Sequence, residues 1–493
     1  MLPSTGQEAI ADKDWKQSMD QEIKSLTDNG TWTLEELPRG RKAMKTKWAY
    51  KIKRDSAGIQ TKLKSRLNAC GYSQVSGTDY DETYAPVGSK CLLRSFLAIA
   101  AYLDYEVQQI DFDSAFLNGK LDHELYMHQP GGYSDGTGRV CKLQKSIYGL
   151  KQAAIVWYDT LQKLLSENGY EPSTRESCLF LLKPGRTGPA WIYVYVDDLL
   201  IIGPKGSCTQ LAKNLSAKFK TKELGDAEFC LGIKITRNKK GILLTQKAFA
   251  DAMVKDMMDV TIKAKRTYTA MPMNRVSEEA DDDLLDDPSR YRSLVGAIGY
   301  LANTTRPDLS VAFSALGSSM KSPTKKSWKL AQHCLGYIKE TADIGLFYRV
   351  RAKDEEMESF EDGLEIYSDS DWAGSSNNNR RSRSGSHVLL FGGTIDWKSK
   401  LQSVISLSST EAEYYAAIQT SKMALYLRVL FYEMQKGKIK ISDRSLELQL
   451  PPLKIWMDNQ LAMAQICSAE VREASKHIQV RITGLRKLPD QGI

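Results

Sequence analysis

Two adjacent acids, Asp197 and Asp198, interrupt the apolar run WIYVYVDDLLIIG at residues 191–203. Such a run is typical of two paired strands, and the acids would then lie at the tip of their hairpin. Neighbouring carboxylates raise each other's pKa unless a cation compensates their charge, and a bound divalent ion does so most completely. Aspartate is also a favoured turn residue, so an isolated pair of this kind is more often structural than metal-binding.

A third acid shifts the balance toward metal binding. Asp111 lies upstream in QQIDFDSAF, among residues that alternate as they do in a half-buried strand. Three carboxylates from two strands could hold two Mg²⁺ ions, with Mn²⁺ as an alternative, which activate a 3′-hydroxyl and stabilise a leaving pyrophosphate. The pattern therefore indicates nucleotidyl transfer, and this chemistry needs no histidine or cysteine.

A second set of acids follows a different spacing near the C-terminal end. Asp369 ends the predicted strand LEIYS, Asp458 ends LKIWM, and Glu413 lies in the first turn of a helix predicted over 410–434. Acids at strand ends and at a helix start can converge at one edge of an α/β sheet. Each acid also has a structural interpretation: Glu413 fits the capping box TEAE, Asp458 could cap the helix that follows it, and Asp369 could be a turn acid.

The elements that would position these acids belong to a chain of 493 residues, 42% of them hydrophobic, which is long enough for several domains.

The formal charge of +8 is mild, but residues 39–66 contain eleven Lys or Arg and a single acid, Asp55. There KWAYKIKR and TKLKSRLNA flank the turn-like DSAG, which predicts a basic β-hairpin. Such a surface suits a phosphate backbone, although a solvated charged face is the common alternative.

Periodicity and breaker residues divide the rest of the chain. They predict a first helix that ends at Asn29-Gly30, strands at 105–112 and 191–203, and helices at 151–169 and 207–220. An acidic linker at 278–287 follows, and after it two helices separated by Arg306-Pro307. After residue 363 strands are followed by alternating helices and strands, which indicates a separate α/β domain.

Cysteine usage and hydropathy suggest the compartment. The eight cysteines contain no CxxC pair and no Cys/His cluster with zinc-ligand spacing, which favours a reduced compartment over a disulfide framework. No stretch reaches about 18 consecutive apolar residues, and the first residues lack an apolar core of signal-peptide length. We therefore expect an intracellular protein that is neither secreted nor inserted in a membrane.

Taken together, the motifs of the chain resemble the reverse transcriptase and ribonuclease H region of the Pol polyprotein of copia-type LTR retrotransposons. The resemblance covers nearly the whole length, and its carriers are TWTLEELPRG, KWAYKIKRDSAG, SRLNACGYSQ, ETYAPV, QQIDFDSAFLNGKL, LYMHQPGGY, SIYGLKQA, YVDDLLIIG, LGIKITR, YRSLVGAIGYLANTTRPDL, LSSTEAEYYA, MDNQLA and SKHI. So many motifs in one order are far more specific than a lone YVDD.

The resemblance implies a multidomain α+β and α/β chain: a right-hand polymerase of fingers, palm and thumb, a connection, and a ribonuclease H-like α/β domain. The expected domains are an N-terminal helix at 1–30, fingers and palm at 31–250, thumb and connection at 251–353, and the ribonuclease H-like domain at 364–493. The expected partners are an RNA template, a DNA primer, RNA–DNA hybrid and deoxynucleoside triphosphates. The expected location is a cytoplasmic virus-like particle or the nucleus, and the oligomeric state stays open.

The resemblance also assigns roles to individual residues. The first acid set matches the metal-binding triad of the palm, and the second matches three metal-binding acids that cut RNA in a hybrid. Phe116 matches the aromatic steric gate that excludes a ribose 2′-hydroxyl. Lys53 and Arg66 lie in the fingers hairpin and are candidates for binding the incoming triphosphate, since Arg binds phosphate in a bidentate manner. Lys151 and Gln152 lie in the motif that approaches template and nucleotide.

The chain departs from the family pattern at several places, two of which bear on function. Ala154-Ile155 stand where the family usually has Pro-Arg, which removes a turn former and a positive charge near the nucleotide site. After SKHIQVRI the match ends, and Asp490 is the one acid left where the family supplies a fourth nuclease ligand. We therefore expect a truncated nuclease domain with weak or absent cleavage. The alternative for the whole chain is a catalytically inactive transposon remnant that only binds nucleic acid.

Overall fold

The computed structural model describes residues 2–54, 60–259, 267–272, 283–372, 380–438 and 453–467. Its helices are α1 (Gly6–Ala11), α2 (Lys13–Asp28), α3 (Lys90–Tyr102), α4 (Ala153–Glu167), α5 (Cys208–Lys218), α6 (Lys247–Met257), α7 (Pro288–Ala302), α8 (Ser310–Gly317), α9 (Lys325–Glu340), α10 (Ser409–Lys436) and α11 (Gln460–Cys467). None of these described helices has the length and apolar character needed to cross a membrane.

The strands in the same ranges are β1 (Trp32–Glu35), β2 (Thr46–Arg54), β3 (Gln60–Ala69), β4 (Glu106–Phe112), β5 (Lys120–Met127), β6 (Val140–Lys145), β7 (Tyr170–Pro172), β8 (Leu179–Leu182), β9 (Trp191–Tyr195), β10 (Asp198–Gly203), β11 (Thr221–Asp226), β12 (Phe229–Cys230), β13 (Ile233–Asn238), β14 (Gly241–Thr245), β15 (Leu346–Arg349), β16 (Leu364–Asp371), β17 (Arg383–Leu390), β18 (Gly393–Leu401) and β19 (Ile455–Trp456).

The predicted basic hairpin is formed by β2 and β3, which pair antiparallel with Thr46 opposite Ala69. Its predicted turn, DSAG, lies outside the described residues. The predicted N-terminal helix is α2, and it packs on β3: the Ser65 N–H donates a hydrogen bond of 2.9 Å to Ser18 Oγ, while Trp15 is buried in the shared core. Helix α2 therefore packs against one face of the basic hairpin.

A six-stranded sheet of order β11-β4-β10-β9-β8-β7 carries Asp111 and Asp198. The alternation of β10 divides its side chains between two layers. Leu199 and Ile201 pack with α4 and α5, which confirms the helices predicted at these positions. Leu200 and Ile202 pack with α3 on the opposite face. Because both faces are covered, the strand is apolar throughout and the acids at its start interrupt the pattern.

A second sheet, β12-β13-β14-β15, takes its last strand from a distant part of the chain. Its first three strands lie within residues 31–250 and β15 lies within residues 251–353. The sheet thus connects two regions that the sequence places in separate domains. A strand pattern predicts that a segment is extended, but it does not say which neighbour the segment pairs with.

The helices α6 to α9 pack into a separate apolar core. The predicted break between α7 and α8 is confirmed, and it contains a buried arginine. Arg306, with 2% of its side chain exposed, donates to the Asp308 carboxylate at 2.7 Å and to the Thr341 carbonyl at 2.7 Å. A buried guanidinium needs such partners, so the TRPD motif ties the break between α7 and α8 to the end of α9.

The C-terminal sheet has the order β18-β17-β16-β19, with β19 parallel to β16. Helix α10 packs on this sheet, and the core between them continues into the core between α3 and the six-stranded sheet. Arg94 of α3 crosses the boundary: it is 4% exposed, donates to Asp396 Oδ1 at 3.2 Å and to the Ile395 carbonyl at 2.6 Å, and lies 4.1 Å over the Trp397 ring. The two domains are therefore joined by a buried polar contact as well as by apolar packing.

Candidate active sites

The acids of the first set lie at one end of the six-stranded sheet. Strands β4 and β10 are antiparallel neighbours, and Asp198 lies directly opposite Asp111 in their register. Residues opposite each other in this way project from the same face of the sheet. Asp197 lies in the two-residue turn between Tyr195 and Asp198, which are paired across the β9–β10 hairpin. The predicted hairpin with acids at its tip is confirmed.

The turn that carries Asp197 is held in an unusual conformation. Val196 has a φ of 52°, in the left-handed region that a β-branched side chain seldom adopts. The Trp157 Nε1–H donates a hydrogen bond of 2.8 Å to the Val196 carbonyl, and the Phe112 N–H donates one of 3.3 Å to the Asp197 carbonyl. Strain of this kind persists only where the surroundings enforce it, as α4 and β4 do here.

Burial and the nearby carboxylates disfavour the charged forms of Asp197 and Asp198. Burial raises the pKa of Asp197 to about 6; the nearby Arg66 lowers it, while Asp111 and Asp198 raise it further. Burial also raises the pKa of Asp198, against a 3.1 Å hydrogen bond from Gln109 Nε2. Asp197 Oδ1 is buried and has no hydrogen-bond partner in the described part of the chain. A carboxylate oxygen in that position fits a divalent cation, which prefers oxygen ligands.

Arg66 and Phe116 lie together beside these acids. The Arg66 guanidinium on β3 stacks 3.9 Å from the centre of the Tyr148 ring. Phe116, in the short 3₁₀ helix after β4, meets the same ring edge-on with centroids 4.9 Å apart. Lys53 pairs with Lys62 in the hairpin register, but its side chain lies outside what the structure describes.

Lys151 and Gln152 are placed differently, under the segment at residues 74–80. Lys151 Nζ donates to the Gln74 carbonyl at 3.2 Å and to the Tyr80 hydroxyl at 3.1 Å. Gln152 is 5% exposed, donates to the Asp79 carbonyl at 2.8 Å and accepts from Gln74 Nε2 at 2.9 Å. These contacts hold the segment against the start of α4, and an approach of the two residues to template or nucleotide stays a prediction.

The acids of the second set converge closely. Asp369 and Asp458 each lie two residues beyond the parallel pair Tyr367 and Trp456, so they reach the same edge of the sheet. Glu413 joins them from the first turns of α10. Ligand atoms of the three acids all lie within 4.8 Å of one another, and in the described residues this is the one group of three drawn together so tightly. The convergence expected from strand ends and a helix start is found.

Glu413 has the donor pattern of a metal ligand. Its Oε1 accepts hydrogen bonds from the N–H and the hydroxyl of Ser370, at 3.1 and 3.0 Å. Its Oε2 is buried, and no described residue donates to it. Burial raises the pKa of Glu413; Ser370 opposes this, and Asp369 and Asp458 raise the pKa further. One oxygen is therefore fixed while the other is left for a cation.

The structural explanations of two of these acids are wrong. Helix α10 is capped by Ser408, whose side chain accepts a 3.1 Å hydrogen bond from the Glu411 N–H, so Glu413 has no part in the cap. Helix α11 is capped by Asn459, whose Oδ1 accepts at 2.8 Å from the N–H three residues on, so Asp458 is not the cap. Both acids are thereby available to face Asp369.

Sequence reasoning missed two aromatic residues that organise the first candidate site. Tyr148 contacts Arg66 and Phe116, and Trp157 bonds the turn that carries Asp197. Both lie in SIYGLKQAAIVWY, where a tyrosine and a tryptophan flank the motif of Lys151 and Gln152. Their position beside this motif was the signal in the sequence that could have identified them. Aromatic residues usually belong to a hydrophobic core, so the signal did not distinguish them.

Comparison with known proteins agrees with this arrangement. The family described as reverse transcriptase (RNA-dependent DNA polymerase) matches residues 29–273. The retrovirus-related Pol polyprotein from transposon TNT 1-94 of Nicotiana tabacum is 32% identical over 483 residues, 96% of this chain and 35% of that protein. A transposon Ty5-1 protein of Saccharomyces cerevisiae is 31% identical over 316 residues, 63% of this chain and 99% of that protein.

The fold has a counterpart among solved structures. The foamy viral protease–reverse transcriptase dRH, in complex with double-stranded DNA, superimposes with a TM-score of 0.51 at 14% identity, covering 97% of this chain and 69% of that one. The sheet and the matches together place the chain among proteins with the reverse transcriptase fold. Within that class, the chain belongs to the copia-type, retrovirus-related Pol polyproteins of transposons. It spans about a third of the length of the plant polyproteins it matches.

Proposed function

We propose that the chain is an RNA-directed DNA polymerase that copies RNA into DNA by nucleotidyl transfer. The observation that carries this proposal is the pairing of Asp198 with Asp111 across β10 and β4, with Asp197 at the adjoining turn. Three carboxylates at one end of a rigid sheet are the arrangement that two-metal phosphoryl chemistry uses. Membership of the reverse transcriptase family supports the same activity.

Mg²⁺ is the cofactor we propose, with Mn²⁺ as an alternative. The oxygen donors of Asp111, Asp197 and Asp198 would hold two ions, and the unpartnered Asp197 Oδ1 favours such a ligand role. The ions supply charge that activates a 3′-hydroxyl and stabilises the leaving pyrophosphate. The chain itself contributes Arg66 toward the triphosphate and Phe116 toward the sugar, with Lys53 as a further phosphate contact.

The proposed partners are an RNA template, a DNA primer, their hybrid and deoxynucleoside triphosphates. The basic hairpin supports them, because Lys47, Lys51 and Lys62 are exposed on β2 and β3. The structural counterpart is itself a complex with double-stranded DNA. Binding should weaken steeply with salt, since each neutralised phosphate releases a counterion.

Primer extension on an RNA template with Mg²⁺ tests the proposal. We expect incorporation by the unaltered chain, loss of incorporation in Asp197→Asn/Asp198→Asn, and full incorporation in Asp226→Asn. Asp226 is the matched control because it is an exposed aspartate on the neighbouring strand β11. Incorporation no higher than that of the double variant would reject the activity. Salt-dependent nucleic-acid binding without turnover would then favour the inactive remnant.

We propose a second activity, metal-dependent cleavage of the RNA strand of a hybrid, at Asp369, Glu413 and Asp458. The 4.8 Å cluster and the free Glu413 oxygen support it. Weak cleavage stays the prediction, and Asp490 lies outside the described residues. Cleavage that is lost in Asp369→Asn and kept in Asp354→Asn would support the site. Equal cleavage by both variants would exclude it.

We propose that the protein acts inside the cell, in a cytoplasmic particle or in the nucleus, where an RNA template and deoxynucleotides are present. Buried free thiols agree with a reduced compartment: burial raises the pKa of Cys91 and of Cys334 to about 12. Fractionation of cells that express a tagged chain tests this, and recovery of the chain from the medium alone would contradict it.

A further inference from the structure

Tyr148 contacts two of the residues that are proposed to bind the nucleotide, Arg66 and Phe116. Its ring lies in the loop between β6 and α4, with the Arg66 guanidinium 3.9 Å over its face. Phe116 meets the ring from another side, with centroids 4.9 Å apart and planes inclined at 71°. An edge-to-face pair of this geometry restricts the rotation of both rings. A substitution of Tyr148 would therefore alter the positions of Arg66 and Phe116 together.

The backbone of Tyr148 is fixed to the strand that carries Arg66. The Ala69 N–H at the end of β3 donates a hydrogen bond of 2.8 Å to the Tyr148 carbonyl. Gly149 follows with a φ of +90°, and a Cβ atom there would come within 2.1 Å of the Ala69 carbonyl oxygen. Only glycine permits so close an approach in this conformation. The ring is thus positioned by the hairpin and not by a free loop.

The hydroxyl group of Tyr148 stays protonated in this setting. Its oxygen is buried, and no group in the described ranges forms a hydrogen bond with it. Burial raises the pKa of Tyr148, the nearby Asp197 raises it further, and Arg66 only partly opposes them. Glu22 of α2 also faces the group and acts in the same direction as Asp197. The ring, and not an acid–base reaction of the hydroxyl, is the part that can act.

We propose that Tyr148 is a positioning residue for nucleotide selection. It holds the Phe116 ring where the ring can exclude a ribose 2′-hydroxyl, and it holds the Arg66 guanidinium in place for the triphosphate. The inference rests on the proposed polymerase function, in which Phe116 faces the sugar. It adds a residue through which sugar discrimination and nucleotide affinity are coupled.

Kinetic comparison of Tyr148→Leu and Tyr148→Phe tests the inference. Leucine keeps much of the volume but removes the aromatic contacts, so the preference for deoxynucleotides over ribonucleotides should fall roughly three- to tenfold, the size of one aromatic pair. KM for the deoxynucleotide should rise more than kcat falls, because Arg66 loses its support. Phenylalanine keeps both ring contacts, so its preference and KM should stay within about twofold of the unaltered chain.

A Phe116→Ala background separates positioning from general damage. If Tyr148 acts through Phe116, adding Tyr148→Leu to Phe116→Ala should leave the sugar preference where Phe116→Ala alone puts it. Melting temperatures of all variants show that the chains are folded. The inference would be overturned if Tyr148→Leu left the preference for deoxynucleotides unchanged. It would also be overturned if Tyr148→Leu lowered that preference as much in the Phe116→Ala background as it does alone. Failure of the unaltered chain to extend a primer would instead reject the polymerase function itself.

Discussion

Trp157 offers a direct test of how the catalytic turn is held. Its indole N–H donates the 2.8 Å hydrogen bond to the Val196 carbonyl, and its ring packs edge-on against Phe112 and Phe219 at 5.0 and 5.7 Å. Trp157→Phe removes the donor and keeps an aromatic ring in the 1%-exposed position. We predict that the variant folds and binds primer and template, but incorporates nucleotides slowly because Asp197 is no longer held in place.

The size of the loss in kcat follows from two opposing free energies, that of the lost hydrogen bond and that of the strained Val196 backbone. Leaving the partly buried Val196 carbonyl without its donor costs about 1 kcal/mol. The left-handed φ of Val196 costs a similar amount, of order 1–3 kcal/mol, and is kept only while its surroundings enforce it. Because the terms are comparable, the turn should relax toward an ordinary conformation and shift Asp197. A loss of about 1.4 kcal/mol of transition-state stabilisation lowers kcat about tenfold.

Single-turnover extension of a DNA primer on an RNA template measures this change, with melting temperature recorded alongside. The smaller phenylalanine also leaves a cavity, so a second variant isolates the turn. Val196→Asn lowers the strain, since asparagine tolerates positive φ better than valine does. We expect Trp157→Phe/Val196→Asn to recover most of kcat without recovering the melting temperature. An unaltered kcat in Trp157→Phe, or a double variant as slow as the single one, would refute the reasoning.

Three further predictions concern stability and the second site. Arg94→Met leaves Asp396 as an unpaired buried carboxylate and should cost about 3–5 kcal/mol in urea unfolding, while adding Asp396→Leu should recover most of the loss. Glu355 forms a two-point ion pair with Arg349, which lowers the pKa of Glu355 to about 2. The stabilisation from this ion pair is present above the unfolded pKa of glutamate, about 4.3, and is lost as pH falls toward 2. Calorimetry should therefore show that the difference in melting temperature between the unaltered chain and Glu355→Gln disappears in acid. Glu413→Gln should raise the melting temperature, because it removes a buried charge facing two acids, and should abolish hybrid cleavage without slowing primer extension.

Local elements were well predicted where the apolar pattern was strong. The helix predicted over 410–434 is α10, from Ser409 to Lys436, and the run at 191–203 is the β9–β10 hairpin. In both cases side-chain periodicity along a short segment decides the backbone conformation, because one face or both faces must be buried. The acids of these segments could therefore be placed at a hairpin tip and at a helix start before any fold was known.

Contacts between distant segments could not be predicted in this way. Glu433, near the end of α10, is fully buried and accepts hydrogen bonds of 2.6 Å from the hydroxyls of Ser173 and Thr174 in the palm. The helical pattern around Glu433 is compatible with an exposed acid. Only the docking of the C-terminal domain on the palm takes this carboxylate out of water and gives it those partners.

The sequence alone predicted the chemistry, since Asp111, Asp197 and Asp198 on predicted strands indicate a metal-dependent transferase. Tertiary structure decided which candidates lie close together: Glu413 has no part in the cap of α10 and joins Asp369 and Asp458, and Gln152 bonds the Asp79 carbonyl. The physical reason is that periodicity and turn chemistry act over a few residues. Strand neighbours, burial and the direction of a polar side chain depend on segments far apart in the chain.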